Sequence, residues 1–68
     1  MATVLTLYKD LEKQSVVIGH VIHCPATGSF RFNPKMAHHA PSRKQWTSAD
    51  AAIPAWAKKM ADRIEVAA

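Results

Sequence analysis

The stretch from Ser15 to Pro34, SVVIGHVIHCPATGSFRFNP, decides the fold because it reads as two strands joined by a turn. Its first half is rich in β-branched residues, which are typical of strands. In the CPATG segment, Pro25 presets the backbone for a turn, and Gly28 can take the positive φ needed where a type I turn meets a bulge. We therefore predict a hairpin whose return strand runs from Ser29 to Asn33 and ends at Pro34.

An earlier strand precedes this hairpin. Residues 3–8, TVLTLY, are β-branched, aliphatic and aromatic, and strict alternation places Val4 and Tyr8 on one face, with Leu5 and Leu7 on the other. A polar segment over residues 9–14 separates this strand from the next. The two strands are predicted to form a first hairpin.

The segment after the second hairpin leads to a helix. Residues 34–42 contain two prolines and two histidines without an apolar period, so they are predicted to form a loop. Residues 43–46 form either a short edge strand or the approach to a helix. In TSAD, the Thr47 hydroxyl is suited to cap a helix, and Asp50 is placed to reach back and to favour the positive end of the helix dipole.

Pro54 interrupts this helix, because an internal proline removes a hydrogen bond and clashes with the preceding turn. We expect a first turn over residues 48–52 and a second helix with Pro54 at its first position. An apolar stripe on the helix is predicted to cover the sheet; its members are Ile53, Trp56, Ala57, Met60 and Ile64.

Together these elements predict an α+β fold in the order β-β-β-α. A small antiparallel three-stranded sheet is followed by a proline-interrupted C-terminal helix packed on one face. The 68 residues are expected to form a single domain, since a chain this short buries only about 60% of its unfolded surface.

Charge is distributed unevenly along the chain. Nine Lys/Arg and five Asp/Glu give a formal charge of +4, yet residues 13–49 contain no acidic residue and hold all four histidines. A local positive field recruits phosphates or acidic protein surfaces. The expected partner-binding residues all lie in this acid-free segment: Arg31, Lys35, His38, His39, Arg43 and Lys44.

Cysteine content and hydropathy indicate the compartment. Cys24 is the single cysteine, so no disulfide can form within the chain, and a reducing cytoplasm is the simplest expectation. No apolar run approaches the ~20 residues that a membrane span needs. We expect a cytoplasmic protein that does not associate with a membrane.

Catalytic and metal chemistry find little support in the sequence. Five residues could serve as zinc ligands: His20, His23, Cys24, His38 and His39. However, His20 and His23 point to opposite faces of a strand, and no cysteine pair is present. Neighbouring residues of a strand also diverge too far for a Cys–His catalytic pair. We expect no enzyme activity, no cofactor and no metal site.

Two binding modes remain open for the basic segment. Its cations could neutralise phosphates while Phe30, Phe32 and Trp46 stack on bases. In so short a chain, however, these aromatics are needed for the core, together with Trp56. The second mode is docking on an acidic protein partner, for which Arg and Trp are frequent anchors.

The second half of the chain resembles small accessory proteins of tailed phages and prophages. The resemblance covers residues 28–59, GSFRFNPKMAHHAPSRKQWTSADAAIPAWAKK, and lies in the aromatic strand, the PSRK segment and the AIPAWA helix. It implies a non-enzymatic protein of the host cytoplasm that binds and inhibits or modulates a host protein, one that handles nucleic acid or serves defence.

A more distant similarity connects WTSADAA, residues 46–52, to three-strand-plus-helix DNA-binding modules of the integrase arm type. It implies DNA or RNA binding by the sheet, through Arg31, Arg43 and Lys44, although Pro54 departs from the uninterrupted helix of those modules. Host-protein binding is thus the leading expectation. Direct nucleic-acid binding and a structural role in a virion or other assembly are the alternatives.

Overall fold

The hairpin predicted between Ser15 and Pro34 is present in the computed structural model, which describes residues 2–36, 38–40 and 44–67. Strand β2 (Ser15–Cys24) pairs antiparallel with β3 (Ser29–Pro34). The N–H of Gly28 donates to the carbonyl of Cys24 at 2.8 Å, and Gly28 has a φ of 66°. The turn therefore uses the positive φ that only glycine adopts at little cost.

Strand β1 (Ala2–Asp10) forms the first predicted hairpin with β2, but two bulges interrupt the ladder. The register shifts leave Val4 on β1 and Ile18 on β2 without a direct partner across this ladder. Val4 packs against the core and Ile18 is fully buried. The prediction that strict alternation would separate Val4 from Leu5 and Leu7 was wrong, because a bulge re-aims side chains.

A fourth strand, β4 (Arg63–Val66), pairs antiparallel with β1, so the sheet order is β3-β2-β1-β4. The prediction of three strands was therefore wrong. Ile64, assigned to the helical stripe, lies in β4 and is 46% exposed. Its β-branched side chain suits a strand, and β4 covers an edge of β1 that would otherwise present unpaired backbone groups.

Between β3 and β4 the chain forms two short helices, α1 (Ala49–Ala52) and α2 (Ala55–Met60). The predicted break at Pro54 is confirmed, although Pro54 is the N-cap of α2 rather than its first helical residue. The predicted cap of α1 was wrong by one position. Ser48, not Thr47, accepts the N–H of Ala51, at 3.2 Å.

The helices cover one face of the sheet, with α1 packed on β2 and β3 and α2 on β2. The α+β class with an antiparallel sheet is confirmed. Among the described residues, no helix is long and apolar enough to cross a membrane. Both strands and helices contribute to the core, whose buried apolar residues are Leu7, Ile18, Val21, Phe32, Ala52, Ile53 and Ala57.

Candidate partner-binding cleft

An aromatic cleft opens between β3, the following loop and the two helices. Its volume is about 140 Å³. No acidic side chain lies among the described residues that line it, which are Phe32, Pro34, His39, Ala40, Trp46, Ala52, Pro54 and Trp56. The lining is thus largely apolar and aromatic.

Ring contacts hold the walls of the cleft in place. The rings of Phe32 and Trp56 meet edge to face, with centroids 5.8 Å apart and planes at 83°. On its other side, Trp56 stacks on His39 with a centroid distance of 3.7 Å and an interplanar angle of 8°. Such aromatic pairs prefer particular ring arrangements and add free energy beyond that of the buried apolar area. These three rings therefore form one preassembled wall.

Trp46 is positioned by its backbone. Its N–H and C=O each bond to Phe30 at 2.8 Å, which makes an isolated antiparallel bridge on the outer edge of β3. The prediction for residues 43–46 left open an edge strand or the approach to a helix. Within the described part of that segment, residues 44–46, the edge-strand form is realised at Trp46. The Nζ of Lys44 lies 4.2 Å from the centroid of the Trp46 ring, so a cation covers one side of this indole.

Glycine and proline residues shape the cleft around these rings. Gly19 lies beneath Phe32, where a Cβ would lie 2.5 Å from the ring atom Cζ. Pro34 ends β3, and Pro54 holds an extended backbone (φ −70°, ψ 154°) between the helices. The proline that interrupts the helix therefore also forms part of the cleft and redirects the chain before Trp56.

The structure brings only part of the predicted binding set together. His39 lines the cleft, exposed Lys44 covers Trp46, and exposed Lys35 follows Pro34 of the lining. The charge of Lys35 acts on His20, whose position opposite Asn33 places it on the face of the sheet opposite to Phe32. We therefore call only His39 and Lys44 the basic rim. Exposed His38 adjoins the rim in sequence, but the described residues give it no ring contact.

One member of the predicted set lies away from the cleft, and another is not described. Arg31 pairs opposite Ile22 in the ladder, so its side chain leaves the sheet on the face opposite to Phe30 and Phe32. Strict alternation along this strand predicts the separation of Arg31 from the two phenylalanines, and the register of β3 confirms it. Arg43 lies outside the described residues.

The histidine and cysteine side chains of β2 do not form one cluster. The Nδ1 of His20 lies 2.9 Å from the Thr6 hydroxyl, and burial, followed by the charge of Lys35, lowers the pKa of His20. A hydrogen bond from the Thr27 side chain lowers the pKa of Cys24. Each group is thus engaged by a different neighbour. In the part of the chain that the structure describes, no three His, Cys, Asp or Glu residues form a metal site.

Sequence reasoning missed the cleft because it favoured a core role for Phe32, Trp46 and Trp56 and left base stacking as the alternative for Phe32 and Trp46. Phe32 is indeed buried, whereas both tryptophans are only half-buried. The sequence signal that could have indicated the cleft was the position of two tryptophans and two prolines on either side of the histidine loop. The role of His39 as a stacking partner had no local signal.

No protein-family model, curated protein or solved structure matches the chain. The resemblance of residues 28–59 to small phage accessory proteins stays a prediction.

Proposed function

We propose that this chain is a non-enzymatic binding protein whose aromatic cleft accepts one apolar side chain of an acidic segment in a protein partner. The observation that carries the proposal is the joint presence of the aromatic cleft and the basic rim. Trp46 and Trp56 provide large, preassembled apolar contacts. Lys44 supplies the charge that neighbouring carboxylates would meet, and His39 adds a polar ring beside it.

The size of the cleft favours a side-chain anchor over a small-molecule substrate. Pockets for drug-sized ligands are about 300–1,000 Å³, whereas this cleft measures about 140 Å³. Aromatic grooves of this kind bind extended apolar or proline-containing peptides. A leucine, proline or phenylalanine side chain would fill the cleft and leave the flanking peptide backbone on the rim.

Charge favours an acidic partner. Lys44 already places a cation over Trp46, and residues 13–49 include no acid. A cationic ligand would meet like charge here, while carboxylates would be attracted and would speed association. The phage resemblance adds to the proposal that the partner is a host protein of nucleic-acid metabolism or defence, which the chain inhibits or modulates by occupying such a segment.

The test is a pull-down from bacterial lysate, with and without nuclease, followed by affinity measurement with the purified partner. Wild type should retain a stoichiometric protein after nuclease treatment. Lys44→Glu should weaken binding about tenfold, because a rim charge is reversed, and His39→Ala should weaken it by removing the ring stacked on Trp56. The control Lys13→Glu, which makes the same charge change in the β1–β2 turn, should bind like wild type.

Two outcomes would overturn the proposal. Capture that disappears with nuclease, together with a log–log salt slope of about −0.9 per phosphate contact on duplex DNA, would support direct nucleic-acid binding instead. Equal loss of binding in Lys44→Glu and Lys13→Glu would show that net charge, rather than the cleft, governs recognition.

A further inference from the structure

Strand β4 (Arg63–Val66) is an open edge of the sheet. It pairs with β1 on one side, and it is the last strand in the order β3-β2-β1-β4. At the opposite edge, β3 meets Trp46 in a bridge, whereas β4 has no strand beyond it among the residues that the structure describes. Such an edge is a template for pairing with another chain.

The hydrogen-bond alternation shows which backbone groups of β4 point outward. The N–H of Ala67 donates to the carbonyl of Val4 at 3.0 Å. Glu65, two residues earlier, pairs with Thr6, two residues after Val4, so both pairs belong to one regular ladder. In an antiparallel ladder, bonded and non-bonded pairs alternate. Arg63, Glu65 and Ala67 therefore direct their N–H and C=O groups to β1, while Ile64 and Val66 direct theirs away from it.

The side chains of β4 divide between the two faces of the sheet. Ile64 and Val66 share one face and are 46% and 81% exposed. Arg63 and Glu65 share the other, where the Arg63 guanidinium lies 4.3 Å from the centroid of the Tyr8 ring. The last strand thus carries two apolar side chains on one face and a cation and an anion on the other.

We propose that β4 pairs antiparallel with β4 of a second copy of this chain, with Ile64 opposite Ile64 of the second copy. The two copies of Ile64 then exchange backbone hydrogen bonds, because the N–H and C=O groups of Ile64 point away from β1. On the other face, Arg63 lies opposite Glu65 of the second copy, and this charge pair occurs twice by symmetry. The two four-stranded sheets become one continuous sheet.

Charge selects this register over its neighbour. Shifting the chains so that Ile64 lies opposite Val66 also satisfies the outward backbone groups, but it places Glu65 directly opposite Glu65 of the second copy, which is destabilising. In the proposed register Arg63 can serve another carboxylate. Among the described residues it bonds through Nε to Asp10, through Nη1 to Glu65 and through Nη2 to Ser15, which leaves two of its five N–H groups.

Sedimentation equilibrium of the full chain over a range of concentrations tests the proposal. Wild type should show a monomer–dimer equilibrium, and Ile64→Lys should be monomeric, because a lysine on an edge strand blocks further pairing. Glu65→Gln should weaken the dimer roughly two- to thirtyfold, since two cross-strand ion pairs are lost. Far-UV circular dichroism checks that each variant is folded.

Cysteine cross-linking tests the register itself. In a Cys24→Ser background, Ile64→Cys should form a disulfide-linked dimer, since directly opposite bonded residues have Cα atoms about 5.5 Å apart, within disulfide range. The matched control is Val66→Cys, whose two copies would be roughly 13 Å apart in this register and should not cross-link.

A wild-type chain that stays monomeric at all concentrations would refute the dimer. A dimer that survives Ile64→Lys would exclude β4 as the interface. Tighter association of Glu65→Gln would overturn the proposed register in favour of the one with Glu65 opposite Glu65, and cross-linking at Val66→Cys would overturn it in favour of one with Val66 opposite Val66. These outcomes are independent of binding at the aromatic cleft, since the cleft and β4 share no residue.

Discussion

Gly19→Ala is the substitution that most directly tests how the sheet supports the aromatic cleft. The added Cβ would lie 2.5 Å from Cζ and 2.9 Å from Cε2 of Phe32, and 2.9 Å from the backbone oxygen of Asn33. Ordinary contacts are about 1 Å longer. Phe32 is only 4% exposed and meets Trp56 edge to face, so its ring cannot swing into solvent without leaving the core.

The expected cost follows from two opposing effects. Overpacking a well-filled core costs about 1–3 kcal/mol, while replacing glycine by alanine within a strand recovers about 0.5–1 kcal/mol of conformational entropy. We expect a net loss of about 1–2 kcal/mol in the free energy of unfolding. A domain of this size has about 3–10 kcal/mol in total, so the loss should be plain in a urea titration.

Gly28→Ala is the matched control. Nothing lies within 4 Å of a Cβ at Gly28, but its φ of 66° strains any L side chain, at a cost of about 1–2 kcal/mol. Both variants should therefore lose similar stability. Only Gly19→Ala should change the near-UV circular dichroism of the tryptophans, because only Gly19 contacts the wall of the cleft.

A double variant separates the clash from other effects of Gly19→Ala. Phe32→Leu removes the ring atoms that the new Cβ would meet, so Gly19→Ala should cost less in the Phe32→Leu background than in wild type. Contacting residues give such non-additive free energies. Additive costs, or a Gly19→Ala variant as stable as wild type with unchanged tryptophan spectra, would refute the reasoning.

Three further predictions concern other parts of the fold. Burial, and then a neighbouring positive charge, lower the pKa of His20, so the unfolded chain is protonated at this residue before the folded chain as the pH falls. Urea titrations should therefore show the free energy of unfolding declining below about pH 6.5. The decline should be less steep in His20→Asn. Ser48→Ala should lower the free energy of unfolding by about 1 kcal/mol, whereas Thr47→Ala should leave it nearly unchanged, since Ser48 makes the capping bond. Thr27→Val should slow alkylation of Cys24 at neutral pH, followed by mass spectrometry, because the Thr27 hydrogen bond lowers the pKa of that thiol and the thiolate is the reactive form.

Local signals were sufficient to predict the central hairpin. Pro25 and Gly28 specify the turn within a few residues, and the flanking β-branched and aromatic residues specify the strands. The structure has the turn at this position, with the positive φ at Gly28. The bulges at Val4 and Ile18 were not predictable in the same way, because they depend on how two strands match along their whole length.

Strand β4 shows where periodicity misleads. Ile53, Ala57, Met60 and Ile64 recur at helical spacing, so extending the helix through Ile64 was consistent with the pattern. The chain instead leaves helical geometry at Ala61 (φ −69°, ψ 129°) and pairs with β1. The competing partner is an edge more than fifty residues away in sequence, and a window of one or two helical turns cannot contain it.

In the cleft, residues that the sequence assigns to folding and residues that it assigns to binding lie side by side. Assigning aromatics to folding and cations to binding separates Phe32, Trp46 and Trp56 from Lys35 and Lys44. In the structure, Phe32 belongs to the core and to the cleft wall at once, and Lys44 covers one of the tryptophans. A short chain has too few large side chains to reserve separate sets for each role.

This shared use determines how binding variants must be interpreted. Truncating Phe32 would remove core packing and cleft surface together, so a loss of binding there cannot be separated from a loss of folded protein. Lys44 is exposed, and substitutions at exposed positions usually change stability by no more than about 0.5 kcal/mol. His39 is exposed too, but its ring stacks on Trp56, so its truncation should also cost some stability. Reduced affinity in rim variants that unfold at the wild-type urea concentration would therefore report on recognition itself.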